Sequence, residues 1–100
     1  ITMITRIVEL NFHIEHVDNF LTNFQKHKTQ IRNFDGCTHL KLLRDKKQNT
    51  KFFTYSIWLS EMHLENYRES DLFKTIWSET KPLFSSKAAA WSVDVISEVQ

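Results

Sequence analysis

KFFTYSIWLSEMHLENYRESDLFKTIW, residues 51–77, is the stretch whose reading decides the fold. Its first part is a strand. Aromatic and β-branched residues run from Phe52 to Leu59 with no glycine or proline among them, a composition that fits a pleated, half-buried surface. The character changes at Ser60, where a hydroxyl able to cap a helix is followed by Glu61 at the end where the helix dipole favours negative charge. Leu64 and Tyr67 then fall three apart on one helical face. Ser70 with Asp71 repeats the signal, and Leu72, Phe73, Ile76, Trp77 and Thr80 recur behind it at helical spacing. One strand therefore feeds a short helix, a tight corner and a second amphipathic helix. Tyr67 and Trp77 look back at the strand across an aromatic-lined cleft.

Upstream, Ile4 to His13 alternates as a strand, with Ile4, Arg6, Val8, Leu10 and Phe12 on one face and Thr5, Ile7, Glu9 and Asn11 on the other. A helix starts near Glu15 and buries Val17, Phe20, Leu21, Phe24 and Ile31, leaving Lys26, Lys28 and Arg32 in solvent. It stops at Asn33-Phe34-Asp35-Gly36, where the only glycine of the chain supplies a backbone conformation other residues resist. Cys37 to Arg44 is the second strand, with Leu40 and Leu42 on one face and Cys37, His39 and Leu43 on the other; Asp45 to Thr50 turns it into the third. Pro82 ends the last helix, and Ala90 to Ser97 is the final strand, Trp91, Val93 and Val95 sharing one face. The order strand, helix, strand, strand, helices, strand is the split βαβ pattern: an α+β, ferredoxin-like fold with a four-stranded antiparallel sheet. Residues 3–97 read as one such domain, Met3 as a natural start, and Ile1 and Thr2 as an added leader.

Thirteen basic and twelve acidic residues nearly cancel, and neither sign forms a block, so no nucleic-acid groove or polybasic membrane patch is expected. A lone cysteine excludes an intrachain disulfide and fits a reducing compartment. No apolar run approaches the roughly 18 residues of a membrane helix, and the N-terminus lacks a signal-peptide layout. A cytoplasmic protein is the expectation.

Helices cover only one face of a four-stranded sheet. The third strand nevertheless carries Phe53, Tyr55, Ile57 and Leu59 on one side and Phe52, Thr54, Ser56 and Trp58 on the other, and Ile7, Leu43 and Ile96 add apolar weight. A sheet apolar on both faces, with helices enough for one, predicts a homodimer.

Three segments resemble the antibiotic biosynthesis monooxygenase family, a dimeric α+β-barrel family: Phe34-Asp35-Gly36-Cys37, Tyr55-Ser56-Ile57-Trp58-Leu59-Ser60, and the run Leu64 to Phe73. The resemblance spans Met3 to about Val95. It implies an oxygenase that needs neither organic cofactor nor metal and acts with O2 on a small aromatic or quinol-type substrate. Two other readings share the fold: an isomerase or sugar-modifying enzyme, and a non-catalytic small-ligand-binding dimer. The departures narrow the choice. Quinol-oxygenase-like members often carry histidine where this chain has Tyr67 and Leu72. The residues that the haem-degrading branch uses fall at Arg6, Tyr67 and Trp77, none retained, so haem degradation is not expected.

Cofactor-free oxygenation needs a pocket that excludes water and a group to generate and hold a substrate anion. Arg6, a cation among Ile4, Val8 and Leu10, would hold a phenolate or carboxylate; its structural alternative is a salt bridge to a carboxylate from the helices or a partner chain. Tyr67 would donate a hydrogen bond or act as an acid, or else is a core residue with its hydroxyl at the edge. His39 is a candidate base if it faces the cleft. Trp77, Trp58, Phe12 and Phe73 are the candidates to hold a planar substrate, with simple core packing as the alternative. His13 and His16 straddle a strand–helix junction away from His39 and His63, so no metal site is expected. Cys37 has no neighbouring activator and reads as buried.

Overall fold

The computed structural model describes residues 2–100; Ile1, half of the leader expected ahead of Met3, lies outside them. The elements are β1 (Ile4–Asn11), a single 3-10 turn at Ile14–His16, α1 (Val17–Arg32), β2 (Cys37–Arg44), β3 (Lys51–Trp58), α2 (Glu61–Arg68), α3 (Asp71–Thr80), a second 3-10 turn at Lys81–Leu83, and β4 (Ala89–Val93). The sheet order is β2-β3-β1-β4 with every neighbouring pair antiparallel, the ferredoxin-like α+β arrangement the sequence pattern predicts. Among the described residues no helix is long and apolar enough to cross a membrane.

Both serine caps form. The Ser60 hydroxyl accepts from the His63 amide at 3.2 Å and the Ser70 hydroxyl from the Phe73 amide at 3.1 Å, so two short helices start where the sequence places them. Ser70 also donates to the Tyr67 carbonyl at 2.6 Å, locking the α2–α3 corner. Gly36 sits at φ +92°, and its carbonyl accepts from the Leu59 amide at 2.8 Å, tying the end of α1 to the end of β3. α3 ends before Pro82, whose ring is taken into the following 3-10 turn.

The helices cover one sheet face, and two apolar clusters fill the space between. One holds Leu10, Phe12, Phe20 and Phe52, with Phe12 stacked on Phe20 at 4.2 Å; the other holds Ile31, Cys37, Trp58, Leu64 and Tyr67. The stripe of α1 contains one residue the sequence reading leaves out: His27 is buried at the position between Phe24 and Ile31, with Nε2 2.9 Å from Glu79 Oε1 of α3.

Three boundaries and one face differ from expectation. β1 ends at Asn11 rather than His13, and Phe12 continues it only as an isolated bridge to Phe84. The α-helix proper begins at Val17, after the 3-10 turn. β4 stops at Val93 rather than Ser97 because Val93 already pairs with Thr5, and β1 runs out one residue later. Cys37 lies on the helix-covered face with Leu40 and Leu42, not with His39. The ladder slips between Cys37 and His39, and such a bulge turns the residue beyond it to the other side.

Candidate active site

Alternation along the strands aims one row of each at the helices: Arg6, Val8 and Leu10 from β1, Thr54, Ser56 and Trp58 from β3. Tyr67 of α2 and Phe73, Ile76 and Trp77 of α3 close over them, leaving a cavity of about 310 Å³. That is near the lower end for small-molecule sites, which run from about 300 to 1,000 Å³.

The aromatic wall is continuous. Trp58, 1% exposed, is the floor; its indole N–H donates to Ser56 Oγ at 2.9 Å, so the one polar atom of the ring is satisfied. Tyr67 stacks on Trp58 with ring centroids 4.9 Å apart, and Phe73 meets Tyr67 edge-on at 5.2 Å. Trp77 stacks on Phe73 at 5.8 Å with the planes 10° apart. The Ser70 corner holds both Tyr67 and Phe73 in this arrangement.

Two polar groups stand out. Burial in this aromatic cage pushes the Tyr67 phenol well above its ordinary 10.0, so Tyr67 stays neutral and acts as a hydrogen-bond donor rather than a base. Arg6 is half-buried on the cavity face, its Nη1 donating to Ser92 Oγ at 3.0 Å. Burial, and after it the charge of Arg68, lower its proton affinity, with Glu65 opposing. Among the described residues no carboxylate lies within ion-pair distance of Arg6. The salt bridge weighed as its structural role is therefore not made within the chain.

Of the residues singled out from sequence, the fold brings Arg6, Tyr67, Trp58, Trp77 and Phe73 together around one cavity. It leaves two outside. Phe12 is 2% exposed in the neighbouring cluster against Phe20 and Phe52. His39 pairs with Ile57 on the face away from the helices, exposed, with Nδ1 3.0 Å from Thr38 Oγ1. Arg68 lines the cavity and was not foreseen; as the last residue of α2 it reads from sequence only as a cation suited to a helix C-terminus. The thiol of Cys37 is buried beneath Trp58 and Tyr67, and burial raises its pKa, the opposite of what a nucleophile needs. No group of three or more metal-ligating side chains occurs among the described residues.

Comparison with known proteins agrees with this geometry. The profile of the antibiotic biosynthesis monooxygenase family matches residues 3–77. No curated protein sequence matches the chain. Among solved structures, Rv0793 from Mycobacterium tuberculosis superposes with a TM-score of 0.89 at 14% identity, covering 99% of this chain and 100% of that one. A conserved protein from Methanosarcina mazei gives 0.89 at 15% identity, with 93% and 92% covered. SnoaB, a cofactor-independent oxygenase from Streptomyces nogalater, gives 0.87 at 11% identity, with 99% and 98% covered. Likeness at such low identity establishes the shared fold. The profile match, which covers β1 through most of α3 and with them most of the cavity wall, goes further: the chain belongs to the antibiotic biosynthesis monooxygenase family.

Proposed function

We propose that the protein is a cofactor-independent monooxygenase acting on a small aromatic, quinol-type substrate, and that it works as a homodimer. The observation that carries the reading is the make-up of the cavity: a continuous wall of four aromatic residues, one half-buried guanidinium, and a phenol that burial keeps protonated. A planar substrate would lie against the Trp77–Phe73 wall with a ring oxygen toward Arg6 and Tyr67. The cation favours the ionised form of that oxygen, and Tyr67 donates to it. Apolar walls exclude water and admit O2.

The chemistry closes without another redox partner. A hydroquinone and O2 give a hydroxyquinone and water: one oxygen atom enters a ring C–H, the other leaves as water, and the four electrons come from the substrate. None of the described residues lining the cavity is a histidine or a carboxylate. The substrate hydroxyl is then acidified by Arg6 and loses its proton to solvent at the open end of the cleft, before the apolar walls close on the anion, which also weighs against an isomerase needing an acid–base pair. Oxygen uptake by the purified protein against hydroquinones and dihydroxynaphthalenes, with no cofactor added, tests the reading. Uptake well above autoxidation, lost in Tyr67→Phe, is expected; uptake unchanged in that variant removes Tyr67 from the mechanism.

The sheet face without helices supports the dimer. Its cross-strand rows are Val93–Thr5–Ile57–His39, Trp91–Ile7–Tyr55–Lys41 and Ala89–Glu9–Phe53–Leu43. Trp91, Leu43 and Val93 are 47%, 45% and 39% exposed, an apolar patch that a second copy would cover.

A further inference from the structure

We propose that the substrate is an aromatic carboxylate, its anionic group seated between the guanidiniums of Arg6 and Arg68 where the cleft opens to solvent. The inference rests on the reading of this cavity as the substrate site and narrows the class of molecule it takes. Both arginines line the same cavity, and none of the described residues lining it is an aspartate or glutamate. Arg6 spends one hydrogen bond on Ser92 and keeps most of its N–H donors free. Among the described residues Arg68 has a single ionic contact, to Glu65 on its own helix at 3.4 Å, with both side chains about half exposed, which a ligand carboxylate can outcompete. The two guanidiniums line one cavity, and burial first, then the charge of Arg68, lower the proton affinity of Arg6, with Glu65 opposing. A permanent anion placed between them would relieve both, and carboxylate oxygens match the planar donor fork.

The surface outside points the same way. Arg68, Phe73 and Trp77 are shared between the cavity and an adjoining open groove, whose other cations are Lys74 and Lys81 and among whose described lining residues none is acidic. The approach is therefore positive from solvent inward, the arrangement that steers anions into a site. A quinol that is neutral in solution would draw nothing from this field and would leave Arg68 without a ligand anion. Arg6 is thereby a binding residue for the carboxylate as well as for the reacting oxygen, whereas Arg68 acts on the carboxylate alone.

The test is a matched pair of redox-inert probes, 1-hydroxy-2-naphthoate and 1-hydroxy-2-naphthamide, titrated by quenching of tryptophan fluorescence. A charge-assisted contact contributes about tenfold in affinity per guanidinium. The acid should therefore bind about a hundredfold tighter than the amide. Arg68→Gln, at an exposed helix end, should cut acid binding about tenfold without changing the fold. Arg6→Gln should do the same for the acid, and Arg68→Gln, which touches only the carboxylate, should not move amide binding by more than a factor of about two. The acid's advantage should shrink as salt is raised. Equal binding of acid and amide, no binding of the acid, or an acid preference unchanged in both variants overturns the proposal. Oxygen uptake is read separately. Uptake with neutral quinols and no acid preference refutes the carboxylate and keeps the oxygenase. Acid preference without uptake on 1,4-dihydroxynaphthalene-2-carboxylate keeps the carboxylate and removes the oxygenase.

Discussion

Tyr67→Phe separates the phenol's chemistry from its packing, and the alkaline limb of the stability curve shows how. The ring lies between Trp58, Phe34 and Phe73, with centroids at 4.9, 5.3 and 5.2 Å, and is 9% exposed. A phenolate there would lose its hydration with no compensating partner, so burial raises the folded pKa well above the ordinary 10.0 that holds once the chain unfolds. For an acid raised on folding, the stabilisation is complete below the unfolded value and is lost as pH climbs toward the folded one. The loss therefore opens near pH 10 and steepens to about 1.4 kcal/mol per pH unit. Integrated from the neutral range, wild type forfeits about 0.4 kcal/mol at pH 10, about 1.4 at pH 11 and about 2 at pH 11.5. Tyr67→Phe forfeits none of this. Cys37, also raised by burial, is common to both proteins. Urea unfolding at 25 °C, followed by tryptophan fluorescence at pH 8, 10, 11 and 11.5, measures it. The wild-type-minus-variant gap should be flat up to about pH 9 and then fall along that curve. Parallel curves through pH 11.5 would mean that the phenol ionises freely in the folded state, and the picture of Tyr67 as a permanently neutral donor would fail.

Three further perturbations address other parts of the molecule. Gly36→Ala combines a positive-φ strain of about 1–2 kcal/mol with a Cβ that falls on Cβ and Cγ of His63, together roughly 2–5 kcal/mol by thermal or urea unfolding. His63→Ala should not rescue it, because the clash is with the Cβ that alanine keeps; an unchanged midpoint in Gly36→Ala would refute the close approach. Glu79, whose carboxyl is held below its ordinary 4.5 first by the hydrogen bond with His27, stabilises the fold above that pH and loses the contribution as pH falls through its folded value. The margin of wild type over Glu79→Gln should narrow on acidification below about pH 4.5, and a margin independent of pH from 7 to 3 would rule the pair out as a stabilising contact. Trp91→Lys on the open sheet face should convert the protein to a monomer in sedimentation equilibrium while leaving its far-ultraviolet dichroism intact; an unchanged mass would place the association elsewhere.

What could be read from the chain, and what could not, divides along a physical line. The Ser60 and Ser70 caps, the Gly36 stop and the alternation of β3 depend on residues within a few positions of one another, and all appear in the structure. The misplaced features depend on a distant partner. Cys37 changes face because its ladder slips against β3, and β4 ends opposite Thr5, one residue short of the end of β1. Arg68 reaches the cavity only because the Ser70 corner sets α2 against α3. His27 was half legible, since helical spacing from Phe24 to Ile31 calls for a buried residue between them, but its partner Glu79 is 52 positions away. Arg6 is the instructive case. Alternation alone places a cation in the apolar row of β1, against every local preference, and the structure keeps it there without a carboxylate. Local rules are broken where a sequence serves something other than folding. If that is the case here, Arg6→Met should raise stability by about 0.5–1 kcal/mol, after allowance for solvent screening of a half-buried group, in the same variant that loses its anionic ligand. A loss of stability would instead make Arg6 part of the fold, and the cleft would need another reason to be positive.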